Sequence, residues 1–324
     1  MAGTGDRPED ADVTDPRLDP EIATAVARLE ADGWLPLRRE TVAEARRVYR
    51  DLALARRGDA VTEVGSVHDD VVSDAVTETD TAVRVYEPAG ERQEITVVWL
   101  HGGGWVLGDL ETGDASARRV CAHLGATVVS VDYRLAPEHP HPAPLTDAHA
   151  ALRWAAARRP SDRLVVAGDS AGAGLAAGTA LLARDWGPQL DAQLLLYPGL
   201  DPSMASASMA ENADGPFLAR ADLEWFWERY LPDPALRHDP SVALPEAAGD
   251  LQDVAAAVVA TAELDPLRDE GRAHADALEA AGGRTRRLEG AGLIHGYFGL
   301  AVASAAAREE GDRALDALRD LLAR

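Results

Sequence analysis

The stretch Val165-Val166-Ala167-Gly168-Asp169-Ser170-Ala171-Gly172 decides how the rest of the chain is read. An apolar run ends in Gly-x-Ser-x-Gly, and small residues at helical spacing follow. A strand, a sharp turn and a helix therefore meet with Ser170 at the apex. Glycines at 168 and 172 suit such a turn, which asks for unusual backbone angles and brings backbones close together. The serine is held under strain with its hydroxyl pushed clear of the sheet. Taken alone, the motif also fits an ordinary structural turn, so the neighbouring segments carry the argument.

Working outward, Ile95-Thr96-Val97-Val98-Trp99-Leu100 is a β-branched run of the kind found in strands buried on both faces. Further apolar runs at Thr127–Val131, Leu164–Ala167, Leu194–Tyr197, Ala256–Thr261 and near Thr285–Leu288 alternate with helical stretches around 113–124, 143–158, 171–184, 268–281 and 301–323. This order predicts an α/β fold: a mostly parallel central sheet with helices on both faces. The period changes near residue 64, and Val83 and Val85 alternate with polar neighbours. Two segments carry no strand pattern. Residues 21–60 read as two helices broken at Gly33 and Pro36, and 203–245 carries Trp225-Phe226-Trp227 among scattered prolines. Together they are expected to form a helical cap over a single catalytic core of 61–202 and 246–324. Residues 1–20, acidic and polar, read as a disordered tail without the features of a signal peptide.

Composition narrows the function classes. Lys and Arg number 32 against 55 Asp and Glu, a net charge of −23, which argues against nucleic acid and anionic membranes as partners. No apolar run reaches the roughly 18 residues of a membrane span. The single cysteine, Cys121, excludes an internal disulfide, suits a reducing, cytoplasmic setting and reads as a buried structural thiol.

The chemistry-bearing residues follow the strands. His101-Gly102-Gly103-Gly104-Trp105 comes directly after the run at 95–100. Consecutive glycines leave backbone N–H groups free to point into one cavity, as an oxyanion requires. Amides of this glycine run, together with that of Ala171, the residue after Ser170 at a helix N-terminus, are the expected donors. A phosphate loop would bring Gly-Lys-Ser/Thr, and here Trp105 follows. A serine nucleophile needs a histidine base and an orienting carboxylate, in the order Ser, acid, His. Of the three histidines downstream of Ser170, His274 falls in a helical run and is expected on a solvated face, and His238 lies among prolines. His295, in Gly292-Leu293-Ile294-His295-Gly296 after the last strand, is at the carboxyl end where sites of open α/β sheets collect. By the same rule Asp265, at the end of the run from Ala256, is preferred over Glu263 and Asp269. The segment Tyr133-Arg134-Leu135-Ala136-Pro137-Glu138-His139-Pro140-His141 could suggest a metal pair, but it lacks a third ligand at suitable spacing. Arg134 and Glu138 are expected to tie it beneath the glycine loop, and no metal or other cofactor is expected.

HGGGW at 101–105, YRLAPEHPHPAP at 133–144, GDSAG at 168–172, DPLRDEG at 265–271 and IHGYF at 294–298 stand in one order. Together they resemble the hormone-sensitive-lipase family of α/β-hydrolases, in particular its bacterial carboxylesterases, over roughly residues 64–324. The resemblance implies an α/β-hydrolase fold and cofactor-free hydrolysis of small, short-chain carboxylic esters. Ser170 would be the nucleophile, Asp265 the orienting acid and His295 the base, with Gly103, Gly104 and Ala171 as oxyanion donors and His101 and Gly102 in the loop motif that shapes the turn. It also implies a homodimer formed through an edge strand at 284–289. An amidase or deacetylase is the alternative within enzymes. A ligand-binding module is the alternative outside them, though binding members of the family lack the histidine that His295 supplies. One departure stands out: Ala173 and Gly174 follow where the family commonly has Gly-Asn.

Overall fold

The computed structural model describes residues 15–57, 61–74, 79–239, 241–242 and 251–323. The strands are β1 (Ser66–Asp74), β2 (Thr79–Glu87), β3 (Ile95–Leu100), β4 (Thr127–Val131), β5 (Arg163–Asp169), β6 (Ala192–Leu196), β7 (Ala256–Leu264) and β8 (Thr285–Ile294). They form one sheet in the order β1-β2-β4-β3-β5-β6-β7-β8. All neighbours from β4 to β8 run parallel, and β2 joins β1 and β4 antiparallel. The parallel strands explain the unbroken apolar runs. Every residue of β4 and β6 is buried, because helices cover both faces and leave no solvated side to alternate toward.

Between the strands lie α3 (Leu110–Leu124), α4 (Ala143–Arg158), α5 (Ala171–Trp186) and α8 (Arg268–Ala280), and α9 (Ala305–Leu322) closes the chain. Local sequence sets their ends. Asp109 caps α3 by accepting from the amides of Glu111 and Thr112, and Gly125 stops it at φ 62°, a left-handed position that glycine fills without a Cβ penalty. Cys121 is buried in this helix, and burial pushes its thiol up to about 12.

Outside the alternation stand α1 (Pro20–Ala31), α2 (Val42–Arg57), α6 (Ala207–Glu211), α7 (Arg220–Tyr230) and a 3₁₀ turn at Pro234–His238. The two expected N-terminal helices are thus present, and 203–239 contains no strand. Residues 58–60, 240 and 243–245 of the expected cap, and 75–78, 246–250 and 324 of the expected core, lie outside the described residues. So do residues 1–14 of the expected tail. From 15 to 20 that expectation is corrected: Leu18 is buried, the Asp19 side chain caps α1, and the Asp19 amide donates to the Gly292 carbonyl at 2.9 Å. A buried leucine, a helix cap and a backbone hydrogen bond tie this segment down, where composition alone suggested fraying.

Strand register builds the site. Leu100 pairs with Gly168, so the glycine loop after β3 emerges beside the turn after β5. Leu264 pairs with Ile294 across a register shift near Ala262, so the next residues, Asp265 and His295, leave the sheet side by side.

Candidate active site

Ser170 sits at φ 55° and ψ −122° between β5 and α5. The expected strain is therefore on the serine, and neither Gly168 nor Gly172 has a positive φ. The glycines serve the second purpose, close approach. A Cβ on Gly172 would lie 2.0 Å from the Leu100 carbonyl oxygen, and one on Gly168 would lie 2.5 Å from the Gly172 backbone. The turn must graze the end of β3 to reach its place, and any side chain there would block it.

His295 Nε2 lies 2.8 Å from Ser170 Oγ, and His295 Nδ1 lies 2.9 Å from Asp265 Oδ2. Asp265 is fully buried, and its other oxygen accepts from the Leu267 amide at 2.8 Å. The carboxylate is thus held by two donors and faces the imidazole in a fixed orientation. The rejected acids are engaged elsewhere. Glu263 accepts from the Gly292 amide, and Asp269 from the Ser208 amide and Arg268.

The glycine loop turns sharply, with φ 123° at Gly103, 60° at Gly104 and 60° at Trp105. The amides of Val106 and Leu107 both donate to the Gly103 carbonyl. Among the described residues, the amides of Gly103, Gly104 and Ala171 meet no acceptor, and all three residues border one cavity with Ser170 and His295. His101 lies under the loop, stacked on Tyr133 at 4.4 Å, and Tyr133 Oη donates to the His101 carbonyl at 2.6 Å. Burial lowers the His101 pKa, so it is a neutral packing element. Gly102 donates its amide to Asp169 Oδ1 at 3.0 Å. Withdrawal from solvent pushes Asp169 up to about 6.

Residues 97–299 match the model of a family described by the alpha/beta hydrolase fold. The chain is 44% identical over 253 residues to the carboxylesterase NlhH of Mycobacterium tuberculosis, spanning 75% of this chain and 79% of that protein. It belongs to the hormone-sensitive-lipase family of α/β-hydrolases. The esterase LipI of the same organism is 42% identical over 248 residues, 74% of this chain and 78% of that one. A solved esterase from Pyrobaculum calidifontis superposes with a TM-score of 0.86 at 33% identity, covering 94% and 99% of the two chains.

This hormone-sensitive-lipase relative departs from the expected detail in two places. Arg134 and Glu138 do not jointly tie their segment beneath the glycine loop. Arg134 reaches the buried Asp147 of α4 at 2.8 Å, and Glu138 pairs with Arg46 of α2 at 2.6 Å. Arg46 is the tie that sequence reading missed, since it also donates to the carbonyls of Val106 and Ala136. At Gly174 the family's usual amide has no room, because a Cβ would lie 2.3 Å from the Gly199 carbonyl. The loop is braced against α7 through Trp105, whose ring stacks on Tyr230 at 4.6 Å and meets Trp227 at 4.2 Å.

The cavity beside Ser170 measures about 530 Å³. Tyr49 and Arg56 from α2, Phe217, and Leu223 and Phe226 from α7 complete its wall. None of these was singled out from sequence as a cavity residue. His141 is buried against Tyr230 and Asp239. Among the described residues no group of three or more His, Cys, Asp or Glu side chains is placed to hold a metal. None of the described helices is long and apolar enough to cross a membrane.

Proposed function

We propose that the protein is a serine carboxylesterase acting on small carboxylic esters, with Ser170 as nucleophile, His295 as base and Asp265 as orienting acid. The observation that carries this is the continuous hydrogen-bonded line from Ser170 Oγ through His295 to the buried Asp265. His295 Nε2 accepts the Ser170 proton as Oγ attacks the ester carbonyl. Negative charge then develops on the carbonyl oxygen, toward the free amides of Gly103, Gly104 and Ala171. As the tetrahedral species collapses, His295 returns the proton to the departing alcohol, leaving an acyl-Ser170. Water, deprotonated by the same imidazole, attacks that acyl group and releases the acid. Asp265 keeps the Nδ1 proton facing itself, which leaves Nε2 free to act as base.

The reading extends to the described parts of 21–60 and 203–245 as a cap closing the cavity from above, and to a cytoplasmic enzyme that needs no cofactor. A cavity of about 530 Å³ is in the usual range for small-molecule sites and supports short acyl chains over lipid-length ones. Rates on p-nitrophenyl esters from acetate to palmitate test this: kcat/KM is expected to peak between acetate and hexanoate. Turnover best on palmitate, or absent throughout, would contradict it.

A further inference from the structure

In a chain of net charge −23, the cavity beside Ser170 is bordered by four guanidinium groups, those of Arg56, Arg57, Arg119 and Arg308. Three of them have protein partners. Arg57 pairs with Asp114 at 3.1 Å and Glu111 at 3.3 Å, Arg119 pairs with Asp312 at 3.0 Å, and Arg308 donates to the Ala301 carbonyl at 3.4 Å. Arg56 forms no hydrogen bond or ion pair among the described residues. Its guanidinium lies instead 5.5 Å from the centre of the Phe217 ring. The backbone makes room for it there, since a Cβ on Gly299 would stand 2.8 Å from its Nη2.

Helix register adds a second polar group. Tyr49, Leu52, Ala53 and Arg56 of α2 all border the cavity, at the i, i+3, i+4 and i+7 spacing that puts residues on one helix face. Burial raises the Tyr49 pKa, so its phenol keeps its proton, and that hydroxyl also has no partner among the described residues. A phenol and a guanidinium therefore flank a short apolar stretch, each with a donor to spare. Asp169 borders the same cavity and interacts with Arg56 electrostatically, but no ion pair joins them. Arg56 is half-buried, and a cation partly withdrawn from water without an ion-pair partner gains from an anion brought to it.

Resting on the esterase reading above, we infer that Arg56, with Tyr49 beside it, binds an anionic group of the substrate, so that the preferred esters carry a carboxylate. Arginine suits this task because its planar fork matches a carboxylate. The carboxylate sits on either the acyl or the alcohol half of the ester, and the two halves can be probed separately.

The test uses the full-length enzyme and two matched pairs. Monoethyl and diethyl adipate probe the acyl half, and 4-acetoxybenzoate and its methyl ester probe the alcohol half. In at least one pair, wild-type kcat/KM is expected to favour the carboxylate member by about tenfold, and that pair identifies the half. Arg56→Gln is expected to cut that preference about tenfold, to near parity, mainly through KM, as loss of a charge-assisted contact implies. Arg56→Lys should keep part of it. Wild-type preference for the neutral member of both pairs overturns the inference, and this arm decides even if Arg56→Gln fails to fold. Equal loss on both members in Arg56→Gln overturns it too. No turnover of any of the four esters would overturn the esterase reading itself, and this inference with it.

Discussion

A non-glycine residue at φ 55° and ψ −122° costs on the order of 1–3 kcal/mol, and backbone hydrogen bonds on both sides of Ser170 hold it there. Its amide donates to the Leu196 carbonyl at 2.9 Å, and its carbonyl accepts from Gly174 and Gly199. In the proposed mechanism Asp265 acts by holding the tautomer of His295, so Asp265→Asn is expected to lower kcat by on the order of 10⁴ while the fold persists. Ester turnover with circular dichroism checks this, and a loss under about tenfold would contradict the orienting role. The three side chains were legible because each directly follows a strand, and chain order ranked His295 above His238 and His274. Arg46 and Arg56 were not. Both fall in a helix rich in arginine, and nothing in their spacing separates one that reaches a loop carbonyl from one that faces water.

Helix α8 shows where periodicity misleads. His274, expected on a solvated face among Ala and Asp, is 2% exposed with neither ring nitrogen bonded among the described residues. Burial pushes it down to about 4. The native state therefore binds the proton less well than the unfolded chain. Stability is full above the ordinary histidine value of 6.5 and is lost as pH falls from there toward about 4. Replacing His274 with Gln is expected to remove roughly 3 kcal/mol of acid sensitivity across that window. Urea unfolding at pH 7 and pH 4.5 reads it, and equal pH slopes for both proteins would contradict it. Strand β1 was missed and β8 runs on to Ile294 for a related reason. The antiparallel β1–β2 pair lies at the sheet margin with many exposed residues, so its apolar signal is thin. The glycine-rich end of β8 resembles a loop until its pairing with β7 is known.

At the scale of the whole molecule, alternating strands and helices made the layered sheet readable from composition and period alone. That the segments holding α2 and α7 would come together was expected from their lack of strand pattern, but which of their side chains border the cavity was not readable, because contacts between segments so far apart in the chain leave no local pattern. That meeting places aromatic and apolar side chains around a nucleophile in an otherwise strongly acidic molecule. The account stands on Ser170 being the group that takes the acyl chain. The most direct measurement is titration of the enzyme with diethyl p-nitrophenyl phosphate, followed by peptide mass mapping. The account predicts one p-nitrophenolate released per chain, a diethylphosphoryl group on Ser170, and esterase activity lost in proportion. Activity surviving full labelling, or a label carried by any other residue, would contradict it.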